Sequence, residues 1–201
     1  MNDRNMIVFA GINGAGKSTY FTVEKDEESI FANSIRINAD EILKSNGGDW
    51  HNTADNMRAM AKEIKLIRKC IKDKISFNFE TTLAASIPTY LRYLNNAKQN
   101  GFSTHLIYVG LNSAELAVER VKSRVAKGGH GVDRDLIFKR YTRSIKNLSK
   151  LIREFDEVTL YDNSEIFRIV YSRDQNIIRH SDNNFEWAKE AIKIDSKGRI
   201  E

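Results

Sequence analysis

The sequence predicts an α/β protein of three layers, with a central, mainly parallel sheet held between helices. Three observations lead there. Short apolar runs alternate with amphipathic helical segments along most of the chain. One run, Leu106-Ile-Tyr-Val109, is apolar on consecutive residues, as a strand covered on both faces should be. The first run, Met6-Ile-Val-Phe-Ala10, leads into a glycine-rich loop that opens a helix.

Taken in order, strands are expected near 6–10, 34–38, 75–80, 105–110 and 157–161, with a weaker one near 166–171. The first helix starts at Lys17 and runs to about Lys25. A second helix, 52–73, carries an apolar stripe of Met57, Met60, Ile64, Ile67 and Ile71, with Cys70 at its edge. A third spans 86–100. The helix 114–127 turns Ala114, Ala117, Val118, Val121 and Val125 inward and stacks Arg120, Arg124 and Lys127 on another face. The helix 134–153 turns Ile137, Tyr141, Ile145, Leu148 and Ile152 inward, while Arg140, Arg143 and Asn147 share a polar face. Past Asp174 the pattern turns polar, with one short helix around 184–194. The expected division is a domain over 1–174, with a basic helical lid at about 120–143, and a C-terminal tail over 175–201.

At 201 residues the chain suits one well-packed domain. Its composition, 41% hydrophobic and 29% charged, is that of an ordinary globular protein, and no apolar stretch approaches the length of a membrane span. The chain enters its first strand without a basic-then-apolar leader, and its single cysteine excludes an internal disulfide; both point to the cytoplasm. Cys70 reads as a structural thiol. The net charge is +5, yet between Arg120 and Arg143 eight basic residues face only Asp133 and Asp135. The excess charge is focused there, which calls for a local anionic partner. With only Phe138 and Tyr141 as aromatics in that segment, nucleic acid is the weaker candidate and nucleotide phosphates the stronger.

The residues Gly11-Ile-Asn-Gly-Ala-Gly-Lys-Ser18 match Gly-x-x-x-x-Gly-Lys-Ser/Thr, the loop that wraps nucleotide phosphates. Its backbone N–H groups cradle phosphate oxygens, Lys17 adds a point charge, and Ser18 offers a hydroxyl to Mg²⁺. Gly11, Asn13, Gly14, Ala15, Gly16, Lys17, Ser18 and Thr19 are the candidate contacts to ATP, with GTP an alternative, and the fold implied is that of a P-loop NTPase. In open parallel sheets ligands gather beyond the carboxyl ends of the strands. Asn38, Asp40, Glu80, Thr81 and Thr82 stand just after predicted strands and are candidate substrate contacts. Asp40 is either the N-cap of a turn over 41–44 or a general base for an attacking hydroxyl. Glu80 can hold substrate hydroxyls or a Mg²⁺-bound water; Thr81 and Thr82 serve as substrate contacts or as loop hydrogen-bonders. Asp162, followed by Asn-Ser, reads as a structural turn. Gly128-Gly-His-Gly131 lies between the two basic helices as a flexible lid tip, and His130 and Arg140 are counted as substrate contacts. No Leu-Ser-Gly-Gly and no Asn-Lys-x-Asp occurs, which argues against a transporter ATPase and a regulatory GTPase. A small P-loop kinase with a basic lid remains.

These residues together resemble the zeta toxin family of P-loop kinases. The resemblance runs over about 6–164, through Gly11–Ser18, Asn38-Ala-Asp-Glu-Ile42, Phe79-Glu-Thr-Thr-Leu83, Leu106–Leu111, Ser113–Ala117, Arg120–Arg124, Gly128-Gly-His130, Arg140–Leu148 and Tyr161–Ser164. Asp133 stands where short members usually carry proline. The resemblance implies an ATP- and Mg²⁺-dependent kinase acting on a nucleotide-linked sugar such as UDP-N-acetylglucosamine. It makes Asp40 the catalytic base, Glu80 the substrate-holding carboxylate, Lys17 and Ser18 the ATP and Mg²⁺ ligands, and Arg120 the charge-stabilising arginine. Arg124, Arg134 and Arg140 are all candidates for a second lid arginine, and Arg124 is counted as catalytic. An antitoxin covering the nucleotide site is the partner such a toxin would have.

Overall fold

Met6, Val8 and Ala10 face one core and Ile7 and Phe9 the other, since successive strand residues point to opposite sides of a sheet. The strand they form, β1 (Asn5–Ala10), is therefore covered on both faces, as is β4 (Ser103–Gly110) beside it. The structure, a computed structural model, describes residues 4–23 and 31–200. Among them the sheet has seven strands, completed by β2 (Ile35–Ile37), β3 (Phe77–Thr81), β5 (Glu157–Asp162), β6 (Arg168–Asp174) and β7 (Ile177–Ser181). Their order is β2-β3-β1-β4-β5-β6-β7, with the first five parallel and the last two antiparallel. Helices cover both faces: α1 (Lys17–Val23), α2 (Ala39–Ser45), α3 (Thr53–Asp73), α4 (Ile87–Gln99), α5 (Ala114–Ala126), α6 (Arg134–Leu151) and α7 (Glu186–Ser196). This is the predicted three-layer, mainly parallel architecture of a P-loop NTPase. The expected end of α1 at Lys25 lies outside the described residues.

Several local expectations shift for identifiable reasons. Lys74 ends α3 in the left-handed region (φ 57°), so Ile75 stays 41% exposed and β3 starts later than expected. The stripe of α3 is only half core. Ile67, Cys70 and Ile71 are buried, whereas Met57 and Met60 are exposed, because the first half of α3 overhangs a cavity. Val125, at the end of the α5 stripe, is likewise exposed.

Residues after 174 add to the same sheet. Gln175 takes φ 51° in a tight turn and returns the chain as β7, a mostly exposed edge strand. Then α7 buries Trp187, Ala188, Ala191 and Ile192. The Trp187 ring lies on Gly110, where a Cβ would come within 2.3 Å of it. Its Nε1 donates to Asp162 Oδ2 at 2.9 Å. Asp195 on α7 is fully buried and accepts from Arg173 Nε (2.6 Å), Arg199 (2.9 Å) and the Tyr171 hydroxyl (2.8 Å). Arg173 also donates to the carbonyls of Ile152, Phe155, Asp156 and Gln175. With every partner supplied, this buried ion pair is tolerated where an incomplete one would not be. No helix among the described residues is long and apolar enough to cross a membrane.

Candidate active site

The loop after β1 turns back on itself at Gly11, whose φ of 138° no L side chain adopts comfortably. A Cβ there would fall 2.3 Å from the Val109 carbonyl oxygen. The loop then delivers Lys17 to the start of α1. Lys17 is buried, its Nζ donating to the carbonyls of Gly11 (2.7 Å) and Ile12 (3.2 Å) and lying 3.5 Å from Glu80 Oε1. Burial pulls its pKa below the ordinary lysine value, and the Glu80 carboxylate opposes that shift. Asn163, just past β5, secures the loop by donating to the Ala15 carbonyl at 2.8 Å.

A cavity of about 500 Å³ lies over this loop. Asn13, Gly14, Gly16, Lys17, Ser18 and Thr19 form one wall, and Arg120, Arg124 and Lys127 form another. The cationic face predicted on the helix 114–127 therefore meets the phosphate loop. Arg120 donates to the Ser164 carbonyl at 2.9 Å. Arg124 differs: its Nε and Nη2 are buried without any hydrogen-bond partner. Unpaired buried donors of this kind call for an anionic ligand. The three remaining arginine candidates thus separate. Arg124 faces the phosphate loop, Arg140 donates to Asn13 Oδ1 at 2.9 Å, and Arg134 lies out on the helix over the Phe138 ring.

A second cavity of about 430 Å³ opens on the other side of Lys17, between α2, α3 and α6. It shares Asn13, Lys17, Asp40 and Glu80 with the first. Asn38, Thr81, Thr82, His130 and Arg140 also line it, so the candidate substrate residues meet in one place. The cap of α2 is Asn38, not Asp40: its Oδ1 accepts from the N–H groups of Asp40 (2.8 Å) and Glu41 (3.2 Å). This leaves the half-exposed Asp40 carboxylate free to face the cavity, 3.8 Å from His130 Nδ1. Asn38 uses its other end on Glu80, donating from Nδ2 to Oε2 at 2.8 Å, and Arg36 adds a 3.0 Å bond to the same oxygen. Asn38 is thus held by the protein at both ends of its amide and orients Glu80.

Thr81 is a loop hydrogen-bonder: its hydroxyl pairs with that of Tyr90 at 2.9 Å and accepts from the Leu83 N–H at 3.1 Å. Asn147, read from sequence as part of a polar face, is buried. It donates to the carbonyls of Leu83 and Ala85 and so fixes the loop that carries Thr82. The glycines of 128–131 serve packing as well as turning. A Cβ at Gly129 would strike the Arg124 side chain, and one at Gly131 the Trp50 ring. Trp50 in turn lies beside the His130 ring (5.3 Å), whose pKa is held below the usual value by burial, with Asp40 opposing and the arginines 124 and 140 assisting. Asp162 is structural, its oxygens taken by Ser164 and Trp187.

A third cavity of about 450 Å³ adjoins the second, sharing Glu63, Thr81, Thr82 and Arg140, with Lys139 and Arg143 at its rim and Phe79, Tyr90 and Tyr93 among its walls. Sequence reasoning missed Trp50 and Glu63. The signal for Glu63 was a carboxyl three residues from Met60 and four from Ile67, on the inward stripe of α3.

A phosphate loop on a mainly parallel sheet, with a carboxylate-bearing cavity beside it, defines an ATP-dependent P-loop kinase. The family model of the zeta toxins matches residues 2–184. The chain belongs to the zeta toxin family. An uncharacterized protein of Haemophilus influenzae is 36% identical over 135 residues, which cover 67% of this chain and 91% of that protein. A solved structure from the PezAT chromosomal toxin-antitoxin system of Streptococcus pneumoniae superposes with a TM-score of 0.67 at 17% identity, over 98% of this chain and 85% of that one. The AvrRxo1-ORF1:-ORF2 structure with ATP gives a TM-score of 0.65 at 15% identity, over 97% of this chain and 64% of that one. At such identities the structural likeness speaks for the fold.

Proposed function

We propose that this kinase transfers the γ-phosphate of ATP to a hydroxyl of a nucleotide-linked sugar such as UDP-N-acetylglucosamine. The observation that carries the reading is the junction of two cavities at Lys17, Asp40 and Glu80. The phosphate side is cationic and suits a triphosphate. The acceptor side presents carboxylates, which suit hydroxyl groups, and continues into a third cavity rimmed by Lys139, Arg140 and Arg143. An acceptor with a sugar at one end and a diphosphate further along matches that sequence of surfaces.

In this account Lys17 and the loop amides hold the terminal phosphates while Arg124 and Arg120 neutralise charge that develops during transfer. Asp40 takes the proton of the attacking hydroxyl, and Glu80, aimed by Asn38 and Arg36, positions the sugar. The residues fit Mg²⁺ in the manner of a phosphate loop. Ser18 lies in the cationic cavity, and among the described residues no group of three or more His, Cys, Asp or Glu is arranged to hold a metal. Bound through Ser18 and phosphate oxygens, Mg²⁺ would neutralise charge on the triphosphate. The segment 120–143 acts as the lid over both cavities, and the kinase domain, expected over 1–174, takes in β7 and α7 as well. GTP is a second phosphoryl donor to try, the cytoplasm is the expected compartment, and an antitoxin is the expected partner.

The test is to incubate the protein with Mg²⁺-ATP and a panel of UDP-sugars and nucleosides, then look by mass spectrometry for an acceptor one phosphate heavier. Phosphorylation of UDP-N-acetylglucosamine supports the reading; phosphorylation of a nucleoside alone overturns the nucleotide-sugar assignment.

A further inference from the structure

Glu63, on α3, lines both the acceptor cavity and the neighbouring cavity that carries the basic rim. Its Oε1 is buried and bonds to nothing, while the Ala39 N–H, at the start of α2, reaches its carboxyl group. The groups that face it come from every adjoining element. They are Asp40 on α2, Glu80 on β3, Tyr90 and Tyr93 on α4, His130 in the α5–α6 loop and Arg140 on α6. No cation among the described residues pairs with it, since Arg140 is turned to Asn13 and Glu80 holds both Lys17 and Arg36.

We propose that Glu63 meets the acceptor molecule in its protonated form and donates a hydrogen bond to a neutral oxygen of that molecule, a hydroxyl, ether or carbonyl. This rests on the acceptor reading above and deepens it. A buried carboxylate with no cation and two carboxylate neighbours is the costly state; a carboxyl group that holds its proton and donates it in a hydrogen bond is not. Burial first, and then Asp40 and Glu80, push the Glu63 pKa up to about 7, with the Ala39 N–H opposing. The same acidic surroundings repel phosphate from this spot, so the anionic part of the acceptor lies towards Lys139 and Arg143. Glu63 is therefore a specificity residue for a neutral polar group, set between the phosphorylated hydroxyl and the anionic end.

Two readouts test this. In protein labelled with carboxyl-¹³C glutamate, one side-chain resonance should titrate near pH 7 and vanish in Glu63→Gln, a neutral isostere whose folding is checked by thermal melting. UDP-N-acetylglucosamine should bind the wild type about tenfold or more weakly at pH 8.5 than at pH 6. Glu63→Gln should bind it equally well at both, because its amide donates at any pH, and Glu63→Ala weakly at both. Absence of a carboxyl titrating near neutrality overturns the proposal whatever the acceptor is. Loss of affinity in Glu63→Gln at pH 6 overturns it too, since that outcome would make the carboxylate an acceptor of hydrogen bonds. The resonance is read on the free protein, so a phosphorylation panel that stays blank would defeat the acceptor reading separately.

Discussion

Replacing Asn38 by alanine removes three hydrogen bonds that serve two different ends. Two are the N–H groups of Asp40 and Glu41 that cap α2, and loss of an Asn cap costs about 1 kcal/mol. The third goes to Glu80, and a bond to a charged group is worth about 1.5–3 kcal/mol. Asn38 is 7% exposed and the Glu80 side chain 16%, so water replaces little of either. The expected loss is therefore roughly 2–4 kcal/mol, read from urea unfolding followed by far-UV circular dichroism. Turnover should fall as well, because Glu80 loses one of the two donors that aim it. Asn38→Asp separates the two ends. Aspartate caps as well as asparagine, but it sets a second carboxylate against Glu80 at the 2.8 Å now spanned by a hydrogen bond. Two such groups cannot both ionise, so the folded pair holds a proton that the unfolded chain releases. Stability is then retained at low pH and lost as pH rises, and the variant should be clearly weaker at pH 8 than at pH 5. An Asn38→Ala protein within 0.5 kcal/mol of wild type with unchanged turnover, or an Asn38→Asp protein equally stable at both pH values, would refute the reasoning.

Other substitutions probe separate parts. Arg124→Gln should raise the KM for ATP about 10- to 100-fold and lower kcat while leaving the melting temperature nearly unchanged, since its Nε and Nη2 bond no protein atom; unchanged ATP kinetics would contradict this. Asp195→Asn strands Arg173, which is 3% exposed, and should cost about 3–5 kcal/mol by thermal or urea unfolding; a loss under 1 kcal/mol would contradict the view of α7 as an integral element. Glu63→Gln should gain stability relative to wild type as pH rises. The folded pKa of about 7 lies above the unfolded value, so the wild type holds its advantage at low pH and loses it through neutrality, to roughly 2–4 kcal/mol by pH 8. A difference that stays constant from pH 5 to 8 would contradict it.

The centre of the parallel sheet was legible because β1 and β4 each carry an unbroken apolar run, the flanking β2, β3 and β5 because shorter, interrupted apolar stretches alternate with helical segments, and the phosphate loop because its spacing has few other uses. The edge strand β7 was not, since four of its five residues are exposed and its turn uses Gln175 in place of glycine. The packing of α7 hides in a contact between Gly110 and Trp187, far apart in the chain, which no local pattern announces. Within the site, Asp40 and Glu80 were found from their places after strands. The cap role passed to Asn38 because α2 starts at Ala39, two residues before the turn expected over 41–44, and the N–H groups in need of a cap are those of Asp40 and Glu41. Asn147 was placed on a polar face with Arg140 and Arg143, and its burial could not be read there because its partners are backbone carbonyls from a distant loop. Met60 and Glu63 share a stripe with core residues, and only the tertiary placement of α3 over the cavity beside Lys17 shows that this stripe changes its use halfway along.

The central claim is that the two cavities meet at Asp40 to carry a phosphoryl group from ATP to an acceptor hydroxyl. The most direct measurement compares wild type and Asp40→Asn for ATP affinity and for single-turnover phosphorylation of UDP-N-acetylglucosamine. Unaltered ATP binding with transfer slowed about 10²–10⁴-fold is the expected result. Transfer at near-wild-type rate in Asp40→Asn would contradict it.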